Sequence, residues 1–303
     1  MIKSITVTNY LGDSLKLELA RPELSGFVVK SIKGLGPGKA TINTTDTATA
    51  DGGIFNSARL SKRNILISLG YLWRDTASIE DARQLSYKYF PIMKPITLLI
   101  ETSNRQAKIE GYVESNEPDI FSKNSGGDIS IICPDPNFYS VKENTTVFSG
   151  IDSTFEFPFS NESLTEPLLE MGVIQNYMEK YISYKGDTDI GVTITIHALD
   201  VAKNITIYNT GTRELMKINT DKLEALTGSS IVAGDDIVIC TEKNKKSIVL
   251  IRDGKTINIL NCLTRDSKWF QLTKGDNVFA YVAEEGSTDL QFKIENRVAY
   301  EGV

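Results

Sequence analysis

The chain has 303 residues, a length that fits two domains, and its 41% hydrophobic and 24% charged residues place it among ordinary globular proteins. Its formal net charge of −6 argues against sequence-independent binding to nucleic acid, which needs a basic surface to displace counterions. No apolar run reaches the roughly 18 residues needed to cross a membrane. MIKSITVTNY at the N-terminus lacks the continuous apolar core of a signal peptide, so the protein is expected to stay in the compartment where it is made.

Taken in chain order, most segments read as β. Leu15, Leu17 and Leu19 alternate with Ser14, Lys16 and Glu18, which predicts a strand with one face on a core. Gly34–Gly53 (GLGPGKATINTTDTATADGG) is 20 residues with almost no large apolar side chain, and it reads as a long functional loop or arm. A strand-like run follows at Asn64–Leu72. Ser78 then caps a helix with Glu80 and Asp81 in its first turn, Asp81 standing at the capping-box position. Ile79, Ala82, Leu85 and Tyr89 recur at helical spacing, and Pro91 followed by Pro95 ends the run. Strands are expected at Ile96–Thr102 and Lys108–Val113. Cys133–Ser153, opening with Pro134-Asp135-Pro136, reads as a connector, and the domain boundary is placed near residue 140, giving domains 1–140 and 141–303.

In the second half, Ile190, Val192, Ile194, Ile196 and Ala198 alternate with polar residues. Further strand-like runs are Asn204–Asn209, Asp236–Thr241, Ser247–Ile251, Asn277–Val282 and Leu290–Val298, with a short helix-like patch at Asp221–Leu226. Asp253-Gly254 and Lys274-Gly275-Asp276 supply turn chemistry, and strands at this spacing predict a sandwich or barrel.

No catalytic constellation stands out. The one histidine, His197, falls on the polar face of its strand with no acid or cysteine near it in sequence. The carboxylate pairs Asp187/Asp189, Asp235/Asp236 and Glu284/Glu285 each lie beside a turn glycine, where such residues serve backbone geometry. Gly34-Leu35-Gly36-Pro37-Gly38-Lys39 resembles a phosphate loop but has Ala40 where the magnesium-binding Ser or Thr belongs and no helix after it. Cys133, Cys240 and Cys262 are odd in number and far apart, and form neither a disulfide framework nor a metal site. Lys243, Lys245 and Lys246 read as a solvated hairpin tip. Trp73 and Trp269 read as core aromatics, with a sugar-stacking platform the sharper alternative for Trp269. No enzyme activity, metal or cofactor is expected, and function is sought in assembly.

Three segments of the first half resemble the N-terminal domain of siphophage distal tail proteins. They are the Ser31–Leu60 region with Asp51-Gly52-Gly53, the helix Ile79–Phe90 running through Pro91 into ITLLIET, and IEGYVESNEPDIF followed by ISIICPDPNFYS. The last contributes Gly111, Tyr112, Val113, Phe121, Cys133, Pro134, Asp135, Pro136, Phe138 and Tyr139. The second half is similar to the family's C-terminal domain through GDDIVICT, Asp253-Gly254, Asn258, Ser267, Trp269-Phe270, Leu272, Gly275, Asn277 and the closing Ala299–Val303. The resemblance implies a mainly β protein: a tail-tube-like N-terminal β domain with one helix and a long arm loop, then a galectin-like β-sandwich. It implies a hexameric ring at the end of the tail tube, with the tail tube protein, a tail-tip or hub protein and a receptor-binding protein as partners. Genomic DNA would pass through the channel without specific binding, repelled by part of the negative charge. The protein would be made in the bacterial host cytoplasm and reside at the virion tail tip. Gly34, Pro37, Lys39, Thr41, Asn43 and Asp51 are the candidate residues of an arm that orders on a neighbouring subunit. A baseplate component of a contractile phage or phage-derived bacteriocin, and a carbohydrate-binding module acting through the C-terminal sandwich, are the alternatives.

Overall fold

Ile65, Ile67, Leu69 and Tyr71 occupy alternate positions of one segment and all are buried, as in a strand with one face on a core. The same pattern runs through the computed structural model, which describes residues 1–46, 51–72, 78–119, 125–152, 173–176 and 178–303. Trp73, Phe121 and residues 47–50 of the expected arm lie outside these. The described residues form two units, Met1–Val141 with Ala299–Val303, and Lys142–Val298.

In the first unit the elements are β1 (Ile2–Thr8), β2 (Ser14–Glu18), β3 (Phe27–Lys33), β4 (Ala40–Asp46), β5 (Gly53–Leu60), β6 (Arg63–Tyr71), α1 (Ile79–Tyr89), β7 (Pro95–Thr102), β8 (Gln106–Asp119), β9 (Gly126–Cys133) and β10 (Phe138–Ser140). Antiparallel pairing gives the sheet order β2-β1-β7-β8-β9-β6-β3. One face of this sheet carries Ile5, Val7, Ile96, Leu98, Ile100, Ile109, Val113, Ile129 and Ile131, all buried. Each such side chain contributes about 1.5–3 kcal/mol when fully removed from water. Gly111 of β8 lies in this layer because a Cβ there would come within 2.7 Å of Ile131 Cγ2 and 2.8 Å of Cys133 Sγ. β2 is less buried than its leucine alternation predicts: Leu17 is in the core, but Leu19 lies past the strand and is exposed.

Helix α1 starts as the capping box requires. Ser78 Oγ accepts from the Asp81 N–H at 3.2 Å, and the Ser78 N–H donates to Asp81 Oδ2 at 2.8 Å. Its Ala82 is buried, with Leu85 and Tyr89 packed against the core of the sheet. The bond from Ser78 holds the Asp81 carboxyl below its ordinary value.

Two expected irregular stretches contain strands. Gly34–Gly53 includes β4 and the start of β5, which pair antiparallel from Ala40↔Leu60 to Asp46↔Gly53. Threonine and isoleucine favour extended backbone, and the ladder satisfies the main-chain polar groups that a free loop would leave to water. The connector after Cys133 is broken by Pro134 and Pro136 but then forms β10 and two further short strands.

The second unit comprises β11 (Asn144–Val147), β12 (Ser149–Asp152), β13 (Val173–Asn176), β14 (Glu179–Tyr184), β15 (Thr193–Ala198), β16 (Thr206–Asn209), β17 (Glu214–Lys217), α2 (Thr220–Thr227), β18 (Asp236–Cys240), β19 (Ser247–Arg252), β20 (Lys255–Asn258), β21 (Gly275–Val282) and β22 (Leu290–Asn296). A six-stranded sheet, β11-β22-β15-β18-β19-β20, faces a four-stranded one, β14-β21-β16-β17, as a sandwich. The two are joined by aromatic contact: Tyr281 of β21 stacks on Phe292 of β22 with centroids 3.7 Å apart, and Phe148 lies 5.9 Å from Tyr281. β15 begins at Thr193 rather than at Ile190, which makes only an isolated bridge with Leu272. The stretch around Trp269 is not a strand.

After β22 the chain returns to the first unit as β23 (Ala299–Tyr300), which pairs with β10 through Phe138↔Tyr300 and Tyr139↔Ala299.

Candidate assembly interface

Strands β4 and β5 continue the β3–β6 hairpin beyond the sheet, and every residue of both is exposed. Composition explains why they leave the core: neither strand offers the sustained apolar alternation that a buried face needs. Pairing partners across the ladder share a face, so the register sorts the side chains. Ala40, Ile42 and Thr44 stand with Leu60, Ala58 and Phe55, and Thr41, Asn43 and Thr45 stand with Arg59, Ser57 and Ile54.

A register shift between Asn43 and Thr44 makes this division possible. Asn56 is the extra residue of a β-bulge. Without it, Asn56 would occupy the place opposite Thr44 and Phe55 would turn to the other side. The bulge therefore gathers Ile42, Phe55, Ala58 and Leu60 on one largely apolar face, bordered by Asp46 at the far end of β4. The other face is laced by polar bonds: Thr41 Oγ1 lies 2.9 Å from Ser61 Oγ, Asn43 Nδ2 donates to Ser57 Oγ at 3.0 Å, and Asn56 Nδ2 donates to Thr45 Oγ1 at 2.6 Å.

The root of the hairpin is held by Arg63, which is only 5% exposed. Its Nη1 donates to Gly34 O at 2.6 Å and also to Gly36 O, its Nε to Pro136 O at 2.6 Å, and its Nη2 to Glu301 O at 2.7 Å. The guanidinium lies over the Phe138 ring, 4.6 Å from its centroid. These acceptors are all main-chain carbonyls, and burial lowers the guanidinium pKa. One side chain thus ties the arm root, the Pro134–Pro136 turn and the returning C-terminus, which the Val303 N–H closes by donating to Leu35 O at 3.0 Å. Beside Arg63, burial pushes the Cys133 thiol up to about 11, opposed by the guanidinium charge, so this cysteine is a packing residue rather than a nucleophile.

The same geometry accounts for the glycine-rich stretch. A phosphate cradle turns N–H groups inward, whereas here the carbonyls of Gly34 and Gly36 face a cation. Gly34 has φ +88°, and a Cβ there would sit 2.1 Å from Asn64 O, so the chain needs glycine to leave β3 at this angle.

Of the sequence-derived arm residues, Gly34 forms the root, Pro37 and Lys39 lie between β3 and β4, Thr41 and Asn43 lie on the polar face, and Asp51 precedes β5. The apolar face is not among them: Phe55 and Leu60 fall beyond Gly53, and the bulge that unites them with Ile42 has no composition signal. Arg63 carries no signal either, because a lysine precedes it and its acceptors are distant in sequence.

In the second unit, cross-strand register brings Asp236 opposite His197, and Nδ1 lies 2.7 Å from Asp236 Oδ1. Among the described residues no hydroxyl or thiol is hydrogen-bonded to that ring, and no cluster of three His, Cys, Asp or Glu is placed to hold a metal. The paired carboxylates face separate partners. Asp235 is buried against Arg252 Nη2 at 2.6 Å, Glu284 meets Lys217 at 2.9 Å, Glu285 meets Lys203 at 2.8 Å, and Asp187 lies 3.8 Å from Lys274. Lys243, Lys245 and Lys246 occupy the β18–β19 turn, and the Lys246 ammonium stands 5.4 Å over the half-buried Trp269 ring.

Residues 185–297 match the family described as siphovirus-type tail component, C-terminal domain. No curated protein matches the chain. Among solved structures, the Dit protein of phage SPP1, described as a paradigm of hub adsorption apparatus in phages infecting Gram-positive hosts, shares 13% identity at a TM-score of 0.64, over 97% of this chain and 98% of that one. A chain of the phage P2 baseplate in its activated conformation shares 13% identity at a TM-score of 0.47, with 98% of each chain covered.

Proposed function

We infer, from the place of residues 185–297 among siphovirus-type tail component C-terminal domains, that this chain is a structural protein of the distal phage tail. It joins the tail tube to the baseplate or tip, and it acts by presenting surfaces rather than by bond-making chemistry. Six copies close a ring that continues the tube, with the first unit forming the ring and the second attaching neighbouring baseplate parts, a receptor-binding protein among them. A closed head-to-tail ring needs two different surfaces on every copy, and a projecting hairpin with an unpartnered apolar face supplies one of them. The fold shared with SPP1 Dit over nearly the whole chain supports this reading. The net charge of −6 per copy supports a channel that DNA traverses without adhering.

Native mass measurement and negative-stain imaging of the purified chain, alone and with tail tube protein, test the reading. A species at six times the 33.6 kDa chain mass, seen as a six-fold ring, is expected. A monomer under both conditions would overturn it.

A further inference from the structure

We propose that Ala299–Val303 is a strap delivered by the folding of the second unit, and that the root of the β4–β5 arm becomes ordered only when this strap is seated. The coupling stands on the strand pairing of the chain itself; its consequence for assembly rests on the role inferred above.

The first unit is discontinuous: Met1–Val141 is completed by Ala299–Val303, and all of Lys142–Val298 lies between them in sequence. The strap is richly held for its length. Phe138↔Tyr300 and Tyr139↔Ala299 pair it with β10, and Tyr300 and Val303 pack against the core of the sheet. The Arg105 guanidinium lies 4.4 Å from the Tyr300 ring centroid, and its Nη1 donates to Gly302 O at 3.2 Å. A Cβ on Gly302 would come within 3.0 Å of Leu35 O, so strap and arm root are in close contact. Glu301 O accepts from Arg63 Nη2, and the Val303 N–H donates to Leu35 O. Removing the strap leaves the buried guanidinium one acceptor short at the segment from which the arm departs.

The second unit presents the strap. β11 and β22 pair from Asn144↔Asn296 to Val147↔Lys293, and Arg297 Nε donates to Glu143 Oε1 at 2.7 Å. The folded second unit therefore clasps its own two ends together. Seating the strap on β10 then closes a loop of only about eight residues, Tyr139 to Asn144 and Asn296 to Ala299. With the second unit unfolded, the same contact closes a loop of about 160 residues. Closure becomes less probable as about the 3/2 power of loop length, so folding of the second unit favours the seated strap on the order of 100-fold. A folded second unit presents the strap whatever its margin of stability, so the device responds to folding and not to small changes in stability.

At about 5–20 residues synthesised per second, the second unit follows the first over roughly 10–30 s. The arm root lacks its strap for that time. Unfinished and half-folded chains thus withhold an ordered arm and stay out of assembly.

The test lengthens the tether in the full-length chain. About 20 residues of glycine and serine are inserted between Arg297 and Val298. A second variant carries the same insert between Asn244 and Lys245, in the β18–β19 turn, where the clasp is untouched. Hydrogen exchange is followed at the β10–β23 amides and Val303, and at β15–β22 to report on the second unit. The tether variant is expected to exchange about 5- to 10-fold faster at the strap, with faster proteolysis between Gly34 and Leu60, and the turn variant to match the unsubstituted chain. Equal strap exchange in all three proteins overturns the proposal. Faster strap exchange with arm proteolysis unchanged also overturns it, because the arm root would then not depend on the strap. If the tether insert unfolds the second unit, a strap that stays protected is the contradicting result. A chain that never forms a six-fold species in native mass measurement sinks the ring reading alone, since strap exchange is compared within the single chain.

Discussion

Replacing Arg63 with methionine keeps most of the side chain's apolar volume and removes the guanidinium that gathers four main-chain carbonyls from three separate segments. Hydrogen bonds from a charged donor contribute about 1.5–3 kcal/mol each, so the gross loss is about 6–12 kcal/mol. Against it stands the desolvation of a buried charge, several kcal/mol, which the methionine variant no longer bears. Gly34 and Gly36 are exposed residues, so their carbonyls can turn to water. The net cost is therefore about 3 kcal/mol, or roughly 10 °C in the melting of the first unit at about 3 °C per kcal/mol. Because two units need not unfold together, calorimetry should resolve the transition of the first from that of the second. Amide exchange at Val303, bonded to Leu35 O, should accelerate at the same time. Arg63→Lys, with fewer donors in a less suitable geometry, should fall between. A cost below about 1 kcal/mol with Val303 exchange unchanged would refute the role given to Arg63 as the tie of the arm root.

Gly34→Ala places a side chain at φ +88° and 2.1 Å from Asn64 O. A loss of about 2–4 kcal/mol in the first unit is expected, together with faster proteolysis of the arm. Phe292→Ala removes the ring stacked on Tyr281 and should cost about 3–5 kcal/mol. Calorimetry should assign that loss to the second unit, with the first transition unmoved. The Asp81 carboxyl titrates below its ordinary value because Ser78 bonds it in the folded state. Its contribution is present above the unfolded value of about 3.9 and is lost as pH falls through the lower folded value. Asp81→Asn should flatten that part of the acid limb of a stability–pH profile; an unchanged limb would show that the cap is not formed in solution.

What could be read from the sequence followed from short-range order. Ile194, Ile196 and Ala198 announce β15 because each is buried on one face at period two. Ser78 and Asp81 announce α1 because a capping box spans only four residues. The Asp253-Gly254 turn is legible for the same reason: both residues have positive φ, 51° and 72°, between β19 and β20. The arm was legible only as a departure from this order. Its small and polar residues exclude a core position, but a hairpin exposed on both faces has no burial period to betray its strands, and the Asn56 bulge breaks what alternation exists. Arg63 was not legible at all. Its partners lie 27 to 238 residues away, and a main-chain carbonyl has no residue-type signature. The pairing of β10 with β23 was hidden for the same reason, since only the fold brings Phe138 to Tyr300. His197 has no acid beside it in sequence; Asp236 reaches it only through strand register.

The central claim is that this protein works as a shaped surface at the far end of a tail tube. A cryo-electron microscopy map of the tail end of the particle that carries it tests this most directly. The account predicts six copies in one closed ring around an open channel, with the first unit of each copy forming the ring and each β4–β5 hairpin lying on the adjacent copy. Subunits located away from the tube's end, or a ring whose hairpins touch no neighbour, would contradict it.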